Sequence, residues 1–150
     1  MQFSKQLFLV IFFLGVKSML FAQNNPDDIV GYYLNVDPFS GALSQVCIYN
    51  AGNGVYEGMV IWVKEEEGKA HEGLIFMKDM VFNAKENEWQ SSNLVYPGKS
   101  GKFKAFMRIE KDGRLRVRGY WGVSLLGKTI YWTREKESRN PKTKHPVSTV

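Results

Sequence analysis

The chain has 150 residues, of which 44% are hydrophobic, 14% aromatic and 23% charged. This length predicts one domain of ordinary size, the apolar content excludes a disordered chain, and a single cysteine excludes a small disulfide-held scaffold. The formal net charge of +5 is unevenly spread, because residues 23–98 hold 4 Lys and Arg against 11 Asp and Glu, whereas residues 99–150 hold 14 against 4.

Residues 1–22 have the pattern of an export signal. Lys5 precedes the uncharged run LFLVIFFLGV at residues 7–16, and Ala22 is a small residue at a plausible cleavage point. The run is too short for a membrane-spanning helix, which needs roughly 20 apolar residues. We expect cleavage before Gln23 and export to the periplasm or the extracellular space, with an uncleaved N-terminal anchor as the alternative.

From residue 29 onward, apolar residues alternate with a period of two, which is typical of β-strands. The predicted strands, in chain order, are residues 29–36, 42–49, 55–64, 74–82, 89–96, 102–110, 114–121 and 125–134. The sequence NAGNG at residues 50–54 predicts a turn, and Asp112-Gly113 predicts a type I′ turn inside the clearest hairpin. The acidic run EEEGKAHEG at residues 65–73 predicts a loop.

About eight short strands and no amphipathic helix predict an all-β domain over residues 23–134. Closure into a single antiparallel up-and-down barrel hides the edges of such a sheet, and a two-sheet sandwich is the alternative. A barrel of about eight strands is either filled by side chains or holds one small ligand. Residues 135–150 contain two prolines and few apolar residues, so we expect a disordered basic tail.

The segment LRVRGYWGVSLLGKTIYWTR at residues 115–134 contains Val-Arg-Gly-Tyr, Gly-x-Ser and Gly-Lys-Thr-x-x-Trp-x-Arg in sequence. This pattern resembles the C-terminal signature of the DUF2147 family of exported bacterial proteins. Weaker similarities are IVG at residues 29–31, YEG at residues 56–58 and VYP at residues 95–97. The resemblance implies a calycin-like or lipocalin-like barrel.

The resemblance also implies a pair of residues that closes the barrel. In the broader lipocalin superfamily, an aromatic residue of the first strand lies at the closed end and an arginine of a late strand stacks on it. The matching residues here are Tyr33, in Gly31-Tyr32-Tyr33, and Arg134. Such a contact between a guanidinium and an aromatic ring has a structural role.

No catalytic constellation is visible in the sequence. His71 and His145 are too few and too badly placed for a metal site or a catalytic triad, and no nucleophile-elbow or phosphate-binding motif occurs. Cys47 has no basic neighbour in sequence, which favours a buried inert thiol over a reactive thiol or an intermolecular disulfide. We therefore expect no enzymatic activity, no cofactor and no metal.

The surplus of aromatic residues either fills the barrel or lines a cavity for a small apolar or amphipathic ligand. The candidates for the cavity wall are Trp62, Phe76, Trp89, Trp121 and Trp132. The sequence does not decide whether Trp62 faces the interior or the solvent, because Glu57 and Lys64 on the same strand imply opposite orientations. Non-catalytic binding of such a ligand is the function that we predict.

A basic stripe suggests an alternative function. Arg114, Arg116 and Arg118 share one face of their predicted strand. This face is either merely solvated or binds an anionic lipid, glycan or protein of the cell envelope. We expect no nucleic-acid partner, because the chain is predicted to be exported and because Trp and Tyr do not form a stacking platform on this face.

Overall fold

The computed structural model describes residues 22–38, 40–120 and 127–142. Its eight strands are β1 Gly31–Val36, β2 Leu43–Gly52, β3 Val55–Val63, β4 Ile75–Asn83, β5 Glu88–Leu94, β6 Phe103–Ile109, β7 Leu115–Tyr120 and β8 Lys128–Glu135. Consecutive strands are antiparallel neighbours, and β8 pairs with β1 to close a barrel. The predicted barrel is thus confirmed against the sandwich, whereas residues 1–21 of the predicted export signal lie outside the described residues.

The turn between β2 and β3 follows from its sequence. Asn53 and Gly54 have φ angles of +54° and +72°, and the flanking Gly52 and Val55 face each other in the register. Two consecutive residues with positive φ form a type I′ turn, whose twist matches that of the strands it joins. Asn-Gly is the residue pair that adopts this conformation most readily.

The type I′ turn predicted at Asp112-Gly113 is wrong. Of these two residues only Gly113 has a positive φ, at +84°. The N–H of Glu110 donates to the carbonyl of Arg114 at 2.9 Å, and the N–H of Gly113 donates to the carbonyl of Glu110 at 2.9 Å. The hairpin therefore closes through a three-residue loop with glycine in the left-handed position, which is the next most common hairpin connection.

Two short 3-10 helices occur where the sequence predicted a strand end and a loop. The first strand begins at Gly31, because Pro26–Ile29 forms the first 3-10 helix. Proline at its first position and the bond from the Asn25 N–H to Asp28 Oδ2, at 2.7 Å, favour a helical start here. The second 3-10 helix, Glu66–His71, lies within the acidic loop.

The half of the barrel next to the first 3-10 helix is filled by side chains. Its large buried residues are Ile29, Tyr33, Ile48, Tyr56, Met80, Trp89, Met107 and Leu115. Three of the aromatic residues also donate hydrogen bonds to the helix. These bonds run from Trp89 Nε1 to the Pro26 carbonyl at 2.9 Å, from Tyr33 Oη to the Ile29 carbonyl at 2.7 Å, and from Tyr56 Oη to Asp27 Oδ1 at 2.6 Å. The first 3-10 helix therefore plugs one end of the barrel.

The predicted disordered tail needs correction for residues 135–142. Strand β8 runs through Glu135, and the residues that follow lie against the outside of the barrel over Gln45, whose exposed fraction is 0%. The Gln45 amide donates to Glu135 Oε2 at 2.6 Å and to the Glu137 carbonyl at 2.9 Å, and it accepts from the Arg139 N–H at 2.7 Å. Residues 143–150 lie outside the described residues.

Further contacts attach this C-terminal segment, residues 136–142, to β3. The Asn140 side chain donates to the Ile61 carbonyl at 2.8 Å, and the Arg139 guanidinium lies 5.0 Å from the centre of the Trp62 ring. The segment is poor in apolar residues, which is why its sequence resembles a disordered tail. It is held instead by polar bonds to backbone and to buried side chains, which composition alone does not reveal.

Candidate functional site

A cavity of about 740 Å³ occupies the half of the barrel that the core leaves unfilled. It opens between the loops that follow β1, β3 and β5. The wall is mainly apolar and includes Val46, Val60, Val63, Leu74, Phe76, Met77, Leu94, Phe103, Val117, Ile130 and Trp132. Its volume lies within the range of about 300–1,000 Å³ that small-molecule sites occupy in proteins.

The boundary between core and cavity follows the alternation of the strands. On β1, Tyr33 belongs to the core and Asn35 lines the cavity. On β7 the same change occurs between Leu115 and Val117, and on β8 Trp132 lines the cavity opposite Leu115. Because inward side chains recur every second residue, Asn35, Val117 and Trp132 are the deepest cavity residues on their strands.

Gly119 widens the cavity on the β7 side. A Cβ added at this glycine would have its nearest neighbours, Leu94 Cδ2 and the Lys104 carbonyl oxygen, at 4.0 Å. This spacing is ordinary van der Waals contact, so a Cβ atom would fit without displacing its neighbours. The width of the cavity at this point therefore depends on the absence of a side chain.

The rim of the cavity carries its charged groups. The second 3-10 helix packs so closely on β3 that a Cβ added at Gly68 would lie only 2.5 Å from Val63 Cγ1. The ionisable residues that line the rim are Asp37, Glu65, Glu67, His71, Tyr96, Lys99 and Lys128. All of them lie in loops or at the start of β8, so the described charges surround the opening rather than the deep wall.

Contacts across the rim connect three of its segments. The Tyr96 hydroxyl lies 2.9 and 2.8 Å from the two carboxylate oxygens of Asp37, which joins the loop after β5 to the loop after β1. Burial, and then the hydrogen bond to Asp37, raise the pKa of Tyr96 to about 12. Tyr96 therefore stays neutral at physiological pH. The start of β8 joins the same loop after β1, because Lys128 Nζ donates to the Pro38 carbonyl at 3.5 Å.

Below the rim, three of the described side chains that line the cavity carry polar atoms: Asn35, Ser44 and the indole N–H of Trp132. Asn35 Nδ2 donates to Ser44 Oγ at 3.3 Å. Within the part of the chain that the structure describes, Asn35 Oδ1 and Trp132 Nε1 are buried without a hydrogen-bond partner. Asn35 was not among the residues predicted for the site, although its spacing of two residues from Tyr33 on β1 is the signal that could have found it.

Tyr33 and Arg134 meet at the closed end. They are paired in the register of β1 and β8, and the guanidinium lies 5.3 Å from the centre of the ring. Arg134 Nη2 donates to the carbonyls of Asp28 and Val30 at 2.7 and 2.6 Å. A Cβ on Gly31 would lie 3.0 Å from Nη2, so the glycine leaves room for the guanidinium. Burial raises the pKa of Tyr33 to about 12, although Arg134 opposes the shift.

The profile of a protein family described as "uncharacterized protein conserved in bacteria (DUF2147)" matches residues 31–134. The chain belongs to the DUF2147 family. The match begins at Gly31 and ends at Arg134, so it covers the barrel from the first residue of β1 to the penultimate residue of β8. Searches of curated proteins and of solved structures found no match.

Of the five aromatic residues predicted for the cavity wall of this DUF2147 barrel, four are described, and they occupy three different environments. Phe76 and Trp132 line the cavity, with their ring centres 6.2 Å apart. Trp89 lies in the filled half, with an exposed fraction of 0% and its ring centre 4.8 Å from that of Phe82. Trp62 faces outward under the C-terminal segment, and Trp121 lies outside the described residues.

The predicted basic stripe lies on the outside of β6 and β7. We call this surface the basic face and define it as Lys104, Arg108, Arg114, Arg116 and Arg118. Contrary to the expectation from sequence, tyrosines interleave with these arginines. Arg114 lies 4.7 Å from the centre of the Tyr131 ring, and Arg118 lies 5.0 Å from that of Tyr120. Tyr131 lies beside Arg116 because the two residues are paired in the register of β7 and β8, which could not be read from the sequence.

Cys47 is buried on the outer side of β2. Its neighbours in sequence, Val46 and Ile48, belong to the interior core, so the thiol faces away from the cavity. In the register it lies between Tyr32 of β1 and Met59 of β3. Its exposed fraction is 0%, and burial raises the pKa of the thiol to about 11. The thiol is therefore protonated at neutral pH.

The described part of this DUF2147 protein contains neither a membrane-spanning helix nor a cluster of metal-ligating side chains. Among residues 22–38, 40–120 and 127–142, no helix has the length and apolar character needed to cross a membrane. Over the same residues, no three or more His, Cys, Asp or Glu side chains lie close enough together to hold a metal ion.

Proposed function

We propose that this barrel binds one small apolar or amphipathic molecule in its cavity and performs no catalysis on it. The observation that carries the proposal is the apolar cavity of about 740 Å³ above a filled and plugged barrel end. Transfer of apolar surface from water into such a cavity is favourable at roughly 25 cal/mol per Å². The open rim between the loops supplies a path of entry.

The distribution of reactive groups supports binding without catalysis. Among the described residues, the ionisable groups that line the cavity lie at the rim, and Asp37 and Tyr96 there are already bonded to each other. The deep wall offers hydrocarbon, one amide, one hydroxyl and one indole N–H. This set binds and orients a molecule, whereas general acid–base chemistry requires a group that titrates near the working pH.

Native mass spectrometry of the purified protein, followed by extraction with organic solvent, tests this function. We expect a co-purifying small molecule, or saturable binding of the apolar fluorescent probe N-phenylnaphthylamine. Gly119→Phe places a ring in the cavity and should abolish this binding. Val81→Phe is the matched control, because Val81 is exposed on the outside of β4. A protein that carries no ligand and does not bind the probe contradicts the proposal.

We also propose that residues 1–22 direct export and are removed, so that the barrel works in the periplasm or outside the cell. The charged start, the apolar run and the small residue Ala22 support this proposal. N-terminal sequencing of protein recovered from the periplasm or medium should begin at Gln23. Recovery of the full-length chain from the cytoplasm would contradict it.

The basic face supports a second candidate function, attachment to an anionic component of the cell envelope. The observation that favours it is the interleaving of Arg114 and Arg118 with Tyr131 and Tyr120 on one outer surface. Arginine beside an aromatic ring offers both charge and a flat apolar contact to such a partner.

Co-sedimentation with anionic and with zwitterionic vesicles tests this second function. Simultaneous Arg114→Glu, Arg116→Glu and Arg118→Glu substitution should release the protein from anionic vesicles. The matched control reverses three lysines of the other half of the chain, Lys64, Lys78 and Lys85, which are all exposed. Equal effects of the two triple variants would show only a response to net charge and would contradict a specific surface.

A further inference from the structure

The three polar residues of the cavity wall lie side by side on neighbouring strands. Asn35 of β1 pairs with Ser44 of β2 in the register. On the other side of β1, Leu34 pairs with Thr133 of β8, so Asn35 and Trp132 are the next residues toward the open end on these two strands. We call Asn35, Ser44 and Trp132 the inner polar patch. The other described residues of the deep wall are apolar.

The inner polar patch presents both a donor and an acceptor that the described protein does not satisfy. Trp132 is 2% exposed, and its Nε1–H has no partner among the described residues. Asn35 Oδ1 is likewise buried and unpaired, while Asn35 Nδ2 is used by Ser44. Buried polar atoms in folded proteins are nearly always hydrogen-bonded. We therefore read an unpaired donor and an unpaired acceptor at adjacent positions of β8 and β1 as the place of a ligand group that pairs with both.

The position of the patch defines the charge of that group. Trp132 lies at the bottom of the cavity, with its ring centre 6.3 Å from that of the core residue Tyr33. The lysines that line the cavity, Lys99 and Lys128, belong to the rim. An ionised group at the patch would be buried without a counter-ion, which is very unfavourable. A neutral group avoids this penalty.

We propose that the inner polar patch binds the hydroxyl of an aliphatic alcohol, which enters the cavity polar end first. The ligand oxygen accepts a hydrogen bond from Trp132 Nε1–H, and the ligand O–H donates to Asn35 Oδ1. The hydrocarbon chain extends from the patch along the apolar wall toward the rim. This inference rests on the proposed function and adds the chemistry and the orientation of the ligand.

Three probes of equal chain length test this arrangement by competition with N-phenylnaphthylamine. Nonanol donates and accepts a hydrogen bond, nonyl methyl ether only accepts, and nonanoate is ionised at neutral pH. We expect nonanol to bind about fivefold more tightly than the ether, since one hydrogen bond separates them. Nonanoate should bind most weakly, and its affinity should rise as the pH falls and the acid becomes neutral.

Two variants assign the bonds to their residues. Asn35→Leu removes the acceptor and should lower the affinity for nonanol to that for the ether, without weakening the binding of the ether. Trp132→Phe removes the donor and should weaken both probes by about fivefold. Val117→Ala is the control, because it changes the apolar wall without removing a polar atom and should affect both probes alike.

The outcomes separate this inference from the function on which it rests. Equal affinities for nonanol and its ether on the unchanged protein overturn the inner polar patch while binding itself stands. Tightest binding of nonanoate, lost in a Lys99→Met or Lys128→Met variant, overturns it in favour of a head group at the rim. Failure of all three probes to displace bound N-phenylnaphthylamine overturns the inner polar patch alone, whereas a protein that carries no ligand and does not bind N-phenylnaphthylamine overturns both. The ranking of the probes on the unchanged protein decides the matter even where a variant does not fold.

Discussion

The guanidinium of Arg134 lies 5.3 Å from the centre of the Tyr33 ring, across the junction at which β8 meets β1. The same guanidinium donates hydrogen bonds to the carbonyls of Asp28 and Val30. One side chain thus connects the last strand, the first strand and the residues around the first 3-10 helix. This junction closes the barrel beneath the cavity.

Replacement of Arg134 by alanine is expected to lower the free energy of unfolding by about 1–3 kcal/mol, because it removes a cation–π contact and two charge-assisted hydrogen bonds. Arg134→Lys keeps the charge but loses the planar donor group, so it should give a smaller loss. Urea unfolding monitored by tryptophan fluorescence measures both. An unchanged midpoint for Arg134→Ala would show that the contact does not support closure.

Gly119→Val should raise the free energy of unfolding by up to about 1 kcal/mol, because a β-branched residue replaces glycine within a strand. The same change should weaken ligand binding, since the new side chain occupies the cavity. Thermal unfolding and probe titration check the two effects together. Gly113→Val serves as the comparison, because Gly113 has a φ of +84° and should be destabilised by any side chain. A loss of stability at position 119 would refute the open space inferred there.

Gln45→Ala should destabilise the protein by about 1–3 kcal/mol, because it removes three hydrogen bonds of a fully buried side chain to the end of β8 and the C-terminal segment. Gln90→Ala is the control, since Gln90 lies on the outer side of β5 and its side chain bonds only to Glu88, two residues away on the same strand, among the bonds described. A chain that ends at Glu135 should lose similar stability, and adding Gln45→Ala to it should cost little more. Additive losses would show that the segment and Gln45 act independently.

The buried thiol of Cys47 predicts a dependence of stability on pH. Its pKa is about 11 in the folded protein against an ordinary value of 9.0, so the unfolded chain releases the proton first as the pH rises. The folded state then binds more protons, and the free energy of unfolding falls between about pH 9 and pH 11. Urea midpoints across this interval should fall less steeply for Cys47→Ala than for the unchanged protein. Parallel curves would contradict the burial of the thiol.

Local features of this protein followed closely from its sequence. Asn53-Gly54 forms the turn that its residues favour, and the alternation of β6 and β7 places Arg116 and Arg118 outside and Val117 inside. At Asp112-Gly113 the same reasoning identified the hairpin but not its loop, because a three-residue connection with one positive φ competes closely with a two-residue one.

The extent of the cavity could not be predicted from the sequence, because it depends on where each inward residue lies along the barrel axis. Trp89 and Trp132 both face inward, yet the first belongs to the filled end and the second to the cavity. Their depth depends on the stagger between strands and on the 3-10 helix that plugs one end, neither of which has a periodic signal. Trp62 faces outward because the pairing of β2 with β3 is irregular between positions Gln45 and Val46 of β2. The C-terminal segment then covers its ring.

The order and the alternation of eight strands were predictable from sequence, because they arise from contacts between residues close in the chain. Closure into a barrel was favoured over a sandwich because it hides the sheet edges, but it was established only by the pairing of β8 with β1. The tertiary structure alone decided which inward residues pack together and which surround a cavity. It also decided that Asn35 and Trp132 are adjacent, because that neighbourhood joins the first strand to the last and exists only once the barrel is closed.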